Sequence, residues 1–205
     1  MRGSSGIPGP VLLSPALEDC VIPIHNKLAQ MANGKVLVVL LIVGLIFLFI
    51  FRYRDNALKT YSGKKDEEHT LDSNICYDSK YAYALFDKLE DRGRKLYAWT
   101  EITVDLIFPI IYAAFLSLFI IHLFQKCSIN TSQQFVVMLP FIAMLFDYGE
   151  NILIAIMLFA YPHEYPALAS IASVFTKLKW SFVAVSSGAI LYGLACLAIK
   201  FVTKQ

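Results

Sequence analysis

The feature that most limits this chain is an uninterrupted apolar run, Val36–Phe51, closed at each end by a cation, Lys35 and Arg52. A helix of that length rises roughly 24 Å, and the two cations can snorkel to complete a hydrocarbon core of about 30 Å. Three further apolar stretches follow, at about 102–124, 135–159 and 167–199. The composition agrees: 57% of residues are hydrophobic and 17% charged, where a soluble domain carries about 25% charged residues. The expected fold is therefore all-α, an integral membrane four-helix bundle. Disorder, a coiled coil, a disulfide-rich secreted domain and a basic nucleic-acid binder are excluded.

The chain divides on the same evidence. Residues 1–34, rich in Gly and Pro, read as irregular with a short helix near Ile24–Met31. Residues 35–52 are the first transmembrane helix, expected to face lipid on most sides and to carry no chemistry. Residues 53–97 are a tether, and 98–201 a three-helix transmembrane unit. Short connections at Gln125–Gln134 and Tyr161–Pro166 make neighbouring spans antiparallel. The stretch at 167–199 exceeds one crossing, so it either tilts or begins within the headgroup layer. In it Ala184 with Gly188 and Ala189 with Gly193 repeat a small-xxx-small spacing that suits close helix packing. No internal repeat supports an inverted-repeat transporter within one chain.

The tether has two parts. Its first half is polar and holds the run Ser62-Gly63-Lys64-Lys65-Asp66-Glu67-Glu68. Tyr77–Tyr97 reads as one amphipathic surface helix, capped by Asp78 or Ser79, with Tyr81, Leu85, Leu89 and Leu96 on one face. Glu90/Arg94 and Asp91/Lys95 are i,i+4 pairs, and Gly93 weakens the last turn. Ten of the 18 Lys and Arg lie on the tether side, which predicts a cytoplasmic tether and outside termini. Cys20 and Cys127 then share the oxidising side and either pair or remain separate thiols. The sequon Asn130-Thr131-Ser132 lies there too, in a loop too close to the membrane to expect its use.

The ionisable residues inside the spans carry the functional signal, because a charge in mid-membrane costs at least about 2.5–3.5 kcal/mol and survives only with partners. Asp147, Glu150 and Asn151 share one helix face. Counting depth across the connecting turns brings Asp105, Asp147, Glu150, Asn151 and Lys177 to one level, with Tyr112, Lys179 and Trp180 as possible additions. Lys177 and Lys179 point nearly opposite ways, and depth matching favours Lys177 inward, paired with Glu150. No metal site is expected: His25, His69, His122 and His163 lack ligand spacing and there is no CxxC pair. No cofactor motif is present, and the expected partners are membrane lipid and other membrane subunits or a second copy, not nucleic acid.

Three segments, Gly93-Arg94-Lys95-Leu96-Tyr97, Asp147-Tyr148-Gly149-Glu150-Asn151 and Thr176-Lys177-Leu178-Lys179-Trp180, resemble the pattern of a family of uncharacterised four-span membrane proteins. The resemblance covers about Tyr77 to Ile199 and implies a shared bundle but no activity. Three functional readings follow from the cluster. It is a polar clasp that specifies packing in a structural or assembly protein, a site for small-molecule or lipid binding or proton-linked transport, or the acid-base centre of a lipid-modifying enzyme using Glu150 or Asp147.

Overall fold

The computed structural model describes residues 15–62, 70–72, 74–129 and 134–203. Among these there are seven α-helices and no strands: α1 Pro15–Met31, α2 Gly34–Ser62, α3 Ser79–Lys88, α4 Asp91–Glu101, α5 Val104–Cys127, α6 Gln134–Ala160 and α7 Pro166–Val202. The fold is all-α, as expected. Four helical stretches are long and apolar enough to cross a membrane: Gly34–Tyr61, Asp91–Cys127, Phe135–Ala160 and Pro166–Val202. The charge run at 63–68 and the sequon at 130–132 lie outside the described residues, as does the side chain of Cys20.

Helices α5, α6 and α7 pack on one another as the compact unit, and α2 packs on α5 and α4. Helix α7 runs unbroken for 37 residues, roughly 55 Å at 1.5 Å per residue. Its buried positions, Ala169, the adjacent Ala172 and Ser173, Thr176, Lys179, Ser186 and Gly193, follow at three, four or seven residues and form a single seam. Ala189 and Gly193 of the small-xxx-small pattern face α5, where a Cβ on Gly193 would lie 2.9 Å from that of Leu123. Ala184 and Gly188 are exposed, and nothing lies near Gly188.

Three elements differ from the sequence reading. First, the segment before the first span is a 17-residue helix from Pro15, longer than the short helix expected. It packs on the far end of α5, where the Gln125 amide donates to the Ala29 carbonyl at 3.3 Å. Second, α2 does not stop at Arg52; it continues to Ser62, and its inward face persists through Phe51, Arg54 and Leu58 at helical spacing.

Third, the single surface helix is two helices. Leu89 takes an extended conformation after α3, and α4 starts again at Asp91. Asp78 caps α3, its carboxylate accepting from the Tyr81 N–H at 2.8 Å, and Lys95 pairs with Asp91 at 2.8 Å. Arg94 turns away from Glu90. It donates to the carbonyls of Phe86 and Leu89 and sits 4.4 Å from the centre of the Tyr161 ring. Gly93 lies in the first turn of α4, where a Cβ would meet that of Tyr61 at 2.9 Å, so it permits a close helix crossing. The apolar faces of α3 and α4 are turned inward, where Phe86, Leu89 and Tyr97 bury themselves against Leu58, Ile154 and Met157.

The result is layered. One apolar cluster, built on Leu58, Leu71, Phe86, Tyr97 and Met157, closes the tether end. A second, built on Leu118, Ile121, Leu123, Phe124 and Val137, closes the other end. The charged side chains lie between them.

Candidate functional site: a charged layer and its cavity

Two cations organise the layer. Arg54 reaches it from the extension of α2. Its guanidinium lies 3.1 Å from Asp55, 3.0 Å from Asp105, 3.4 Å from Asp72 and 3.6 Å from Glu101. Lys179 reaches it from the buried seam of α7, 3.3 Å from Asp147 and 2.5 Å from Glu150. Glu150 also accepts from the Thr176 hydroxyl at 2.6 Å. The first set joins α2 to the α4–α5 segment and the second joins α6 to α7.

Asn151 answers a local defect. Pro109 lies inside α5 and has no N–H to offer the carbonyl four residues earlier, that of Asp105. The Asn151 side-chain amide donates to that carbonyl at 2.9 Å. A buried acceptor is thus satisfied by the neighbouring helix. Tyr97 does similar service: its hydroxyl accepts from the Leu71 N–H at 2.7 Å and lies 3.3 Å from Asp72. Burial raises the Asp72 carboxyl, but Arg54, Lys179 and the Thr70 hydroxyl outweigh it and hold it below the ordinary carboxylate value.

A cavity of about 420 Å³ opens beside these groups. Arg54, Asp72, Asp105, Asp147, Asn151 and Lys179 form its polar wall, and Phe51, Phe108, Tyr112, Phe115, Trp180 and Val183 its apolar one. Helices α2 and α7 flank it and α5 and α6 close its back. The Tyr112 hydroxyl is buried beside Asp147 without a well-formed hydrogen bond. Glu101 is fully buried and neither of its carboxylate oxygens has a hydrogen bond.

Of the residues named from the sequence, Asp105, Asp147, Glu150 and Asn151 are buried together. Tyr112, Lys179 and Trp180 line the same cavity. Lys177 is not among them. It is exposed, and the partner of Glu150 is Lys179. Depth along the hairpin could not separate the two lysines; helical phase does, because Lys179 lies three residues after Thr176 on the buried seam and Lys177 only one. Sequence reasoning also missed Arg54, Asp72, Glu101 and Thr176. A signal existed for two of them. Tyr97, Glu101, Asp105, Phe108 and Tyr112 form one stripe across the α4–α5 joint, and Arg54 continues the face of Phe51 and Leu58. Asp72, in an irregular loop, had no such signal.

Carboxylate oxygens of Asp72, Glu101 and Asp105 lie within 4.8 Å of one another, a spacing that could hold a metal ion. The Arg54 guanidinium already stands against all three, which supplies the counter-charge a metal would bring. Cys127 is a free thiol, its Sγ 3.4 Å from the Gly193 carbonyl.

No protein-family model, curated protein or solved structure matches the chain. Of the resemblance drawn from its three motifs, what stands is the set of four helices long and apolar enough to span a membrane.

Proposed function

We propose that the chain is a multi-pass integral membrane protein that binds a small amphiphilic molecule in the cavity between α2 and α7. The observation that carries this reading is the cavity's division into a charged wall and an aromatic wall. Small-molecule sites are commonly 300–1,000 Å³, mostly apolar, with a few convergent polar groups. The ion pairs also clasp the bundle, but a clasp alone needs no such space beside it.

The charges on the surface support a position in the bilayer. Arg52, Tyr53, Lys177 and Trp180 are exposed at the level of the cluster. Lys35 and Lys126 are exposed at the other end, where Lys200 donates to the Lys126 carbonyl. From Trp180 to Lys200 the helix rises roughly 30 Å, one hydrocarbon thickness. Basic and aromatic residues suit both boundaries. The charged layer then lies at the edge of the lipid core, with the head of a guest beside it and its tail between α2 and α7. The excess of basic residues favours a cytoplasmic tether end.

Two measurements test this. Mass spectrometry of the protein released from a mild non-ionic detergent is expected to find a bound amphiphile. Val183→Trp, which fills the cavity, is expected to expel it without unfolding the protein. Protein that carries no amphiphile, and whose Val183→Trp variant behaves as the parent does, leaves the clasp as the better reading. For topology, exposed Cys76 should resist an impermeant maleimide until cells are permeabilised. Labelling in intact cells reverses the orientation.

A further inference from the structure

Resting on that reading, we infer that the cavity selects an organic ammonium, an amine or quaternary ammonium group carried on an apolar body. The argument begins with acceptors. Asp55, Asp72, Asp105 and Asp147 on the cavity wall, and Glu101 and Glu150 behind it, have among the described residues only Arg54 and Lys179 within ion-pair distance. Both cations are already committed to more than one carboxylate. An anionic guest must displace carboxylates from Arg54 or Lys179 and leave them buried beside it, which is costly. A cationic guest shares acceptors that the protein holds in excess.

Glu101 does not line the cavity, but it is fully buried with no hydrogen bond to either oxygen, and its ligand oxygen lies within 4.8 Å of those of Asp72 and Asp105, which do line it. It therefore adds to the acceptors gathered behind that wall. The second observation is the opposite wall. Phe51, Phe108, Tyr112, Phe115 and Trp180 line the space, and the protein's own cations already use two of these rings, with Arg54 5.0 Å from the Phe51 centroid and Lys179 5.9 Å from that of Trp180. Rings and carboxylates together are the chemistry that recognises organic ammonium ions. A bare metal ion would leave the aromatic wall unused, and a neutral amphiphile would leave the acceptors unused.

The chemistry admits two sources, a lipid with an ammonium headgroup or a free aliphatic amine. The test uses the full chain in a non-ionic detergent and three probes of equal tail length: dodecyltrimethylammonium, dodecyl sulfate and dodecyl maltoside. Binding of the ammonium at least about tenfold tighter than the other two is expected, a difference of about 1.4 kcal/mol. Asp147→Asn is expected to erase most of that preference, and Lys177→Met, at an exposed residue outside the site, to leave it intact. The probe series on the unaltered protein decides the matter even where Asp147→Asn does not fold. Equal binding of all three probes overturns the ammonium inference and leaves the cavity reading standing. Absence of binding by any of them, with Val183→Trp indistinguishable from the parent, overturns both. Nanodiscs then name the source. Enrichment of phosphatidylethanolamine over phosphatidylglycerol around the protein identifies a lipid headgroup, and dodecylamine binding that is indifferent to that lipid composition identifies a free amine.

Discussion

The two ends of the three-helix unit are held together by different physics. Toward the termini, Leu118, Ile120, Ile121, Leu123 and Phe124 of α5 share one apolar cluster with Val137 of α6, and the buried side-chain hydrogen bond between the two helices there, among the described residues, is the Ser117 hydroxyl donating to the Val137 carbonyl at 2.8 Å. Toward the tether the same helices meet through Asp105, Asp147, Glu150 and Asn151, and α7 enters with the buried cation Lys179. In the first region any well-shaped apolar set would serve. In the second, each group needs a particular partner, and removing one leaves another stranded. That contrast is what makes the charged layer the place to look for function. A bundle that packs well at one end without charge has no packing need for six carboxylates at the other.

The largest effect that separates the two regions is expected at Lys179. Lys179→Met leaves Asp147 and Glu150 buried without their cation and should cost about 3–5 kcal/mol in unfolding experiments in detergent. Adding Asp147→Asn and Glu150→Gln should restore much of that loss, whereas Lys177→Met alone should stay within about 0.5 kcal/mol of the parent. A triple variant no better than Lys179→Met would mean that the layer is not organised by charge pairing.

Next in size is the proline repair. Asn151→Ala strands the Asp105 carbonyl and should cost about 1–3 kcal/mol. In a Pro109→Ala background the new backbone N–H can take that carbonyl, so the same substitution should cost less. Additive costs in this double-mutant cycle would show that Asn151 and Pro109 are uncoupled.

The apolar end supplies the control. Ser117→Ala removes its buried interhelical hydroxyl bond, and such contacts average about 0.6 kcal/mol. A loss as large as that of Asn151→Ala would erase the distinction between the ends.

The smallest effect is a pH dependence. The Asp72 carboxyl is held below its ordinary value of 3.8 in the folded protein, with Arg54 as the main counter-charge to its burial. A depressed carboxylate contributes stability that is complete above the unfolded value and is lost as pH falls through the folded one. Stability should therefore be insensitive to Asp72 above about pH 5 and fall below about pH 4. Asp72→Asn should flatten that acid limb. An unchanged limb would remove Asp72 from the Arg54 network.

Much of this was legible beforehand, for a physical reason. Apolar runs of membrane length can only become helices, because backbone groups in hydrocarbon must bond within their own segment. The four long helices and the shared face of Asp147, Glu150 and Asn151 follow from local rules. Local rules failed where a residue's meaning depends on what lies opposite. Arg54 read as a charge that orients the chain, although it is the centre of the α2–α5 contact. Tyr77–Tyr97 read as one surface helix, because the pattern gave no reason for the extended Leu89 that lets α3 and α4 fold onto the bundle. Helical period determined by itself that Lys177 and Lys179 could not both face inward. Which one does was decided only by the rotation of α7 against α6. A helix can turn about its axis without changing any of its own hydrogen bonds, so the tertiary contacts alone set its phase.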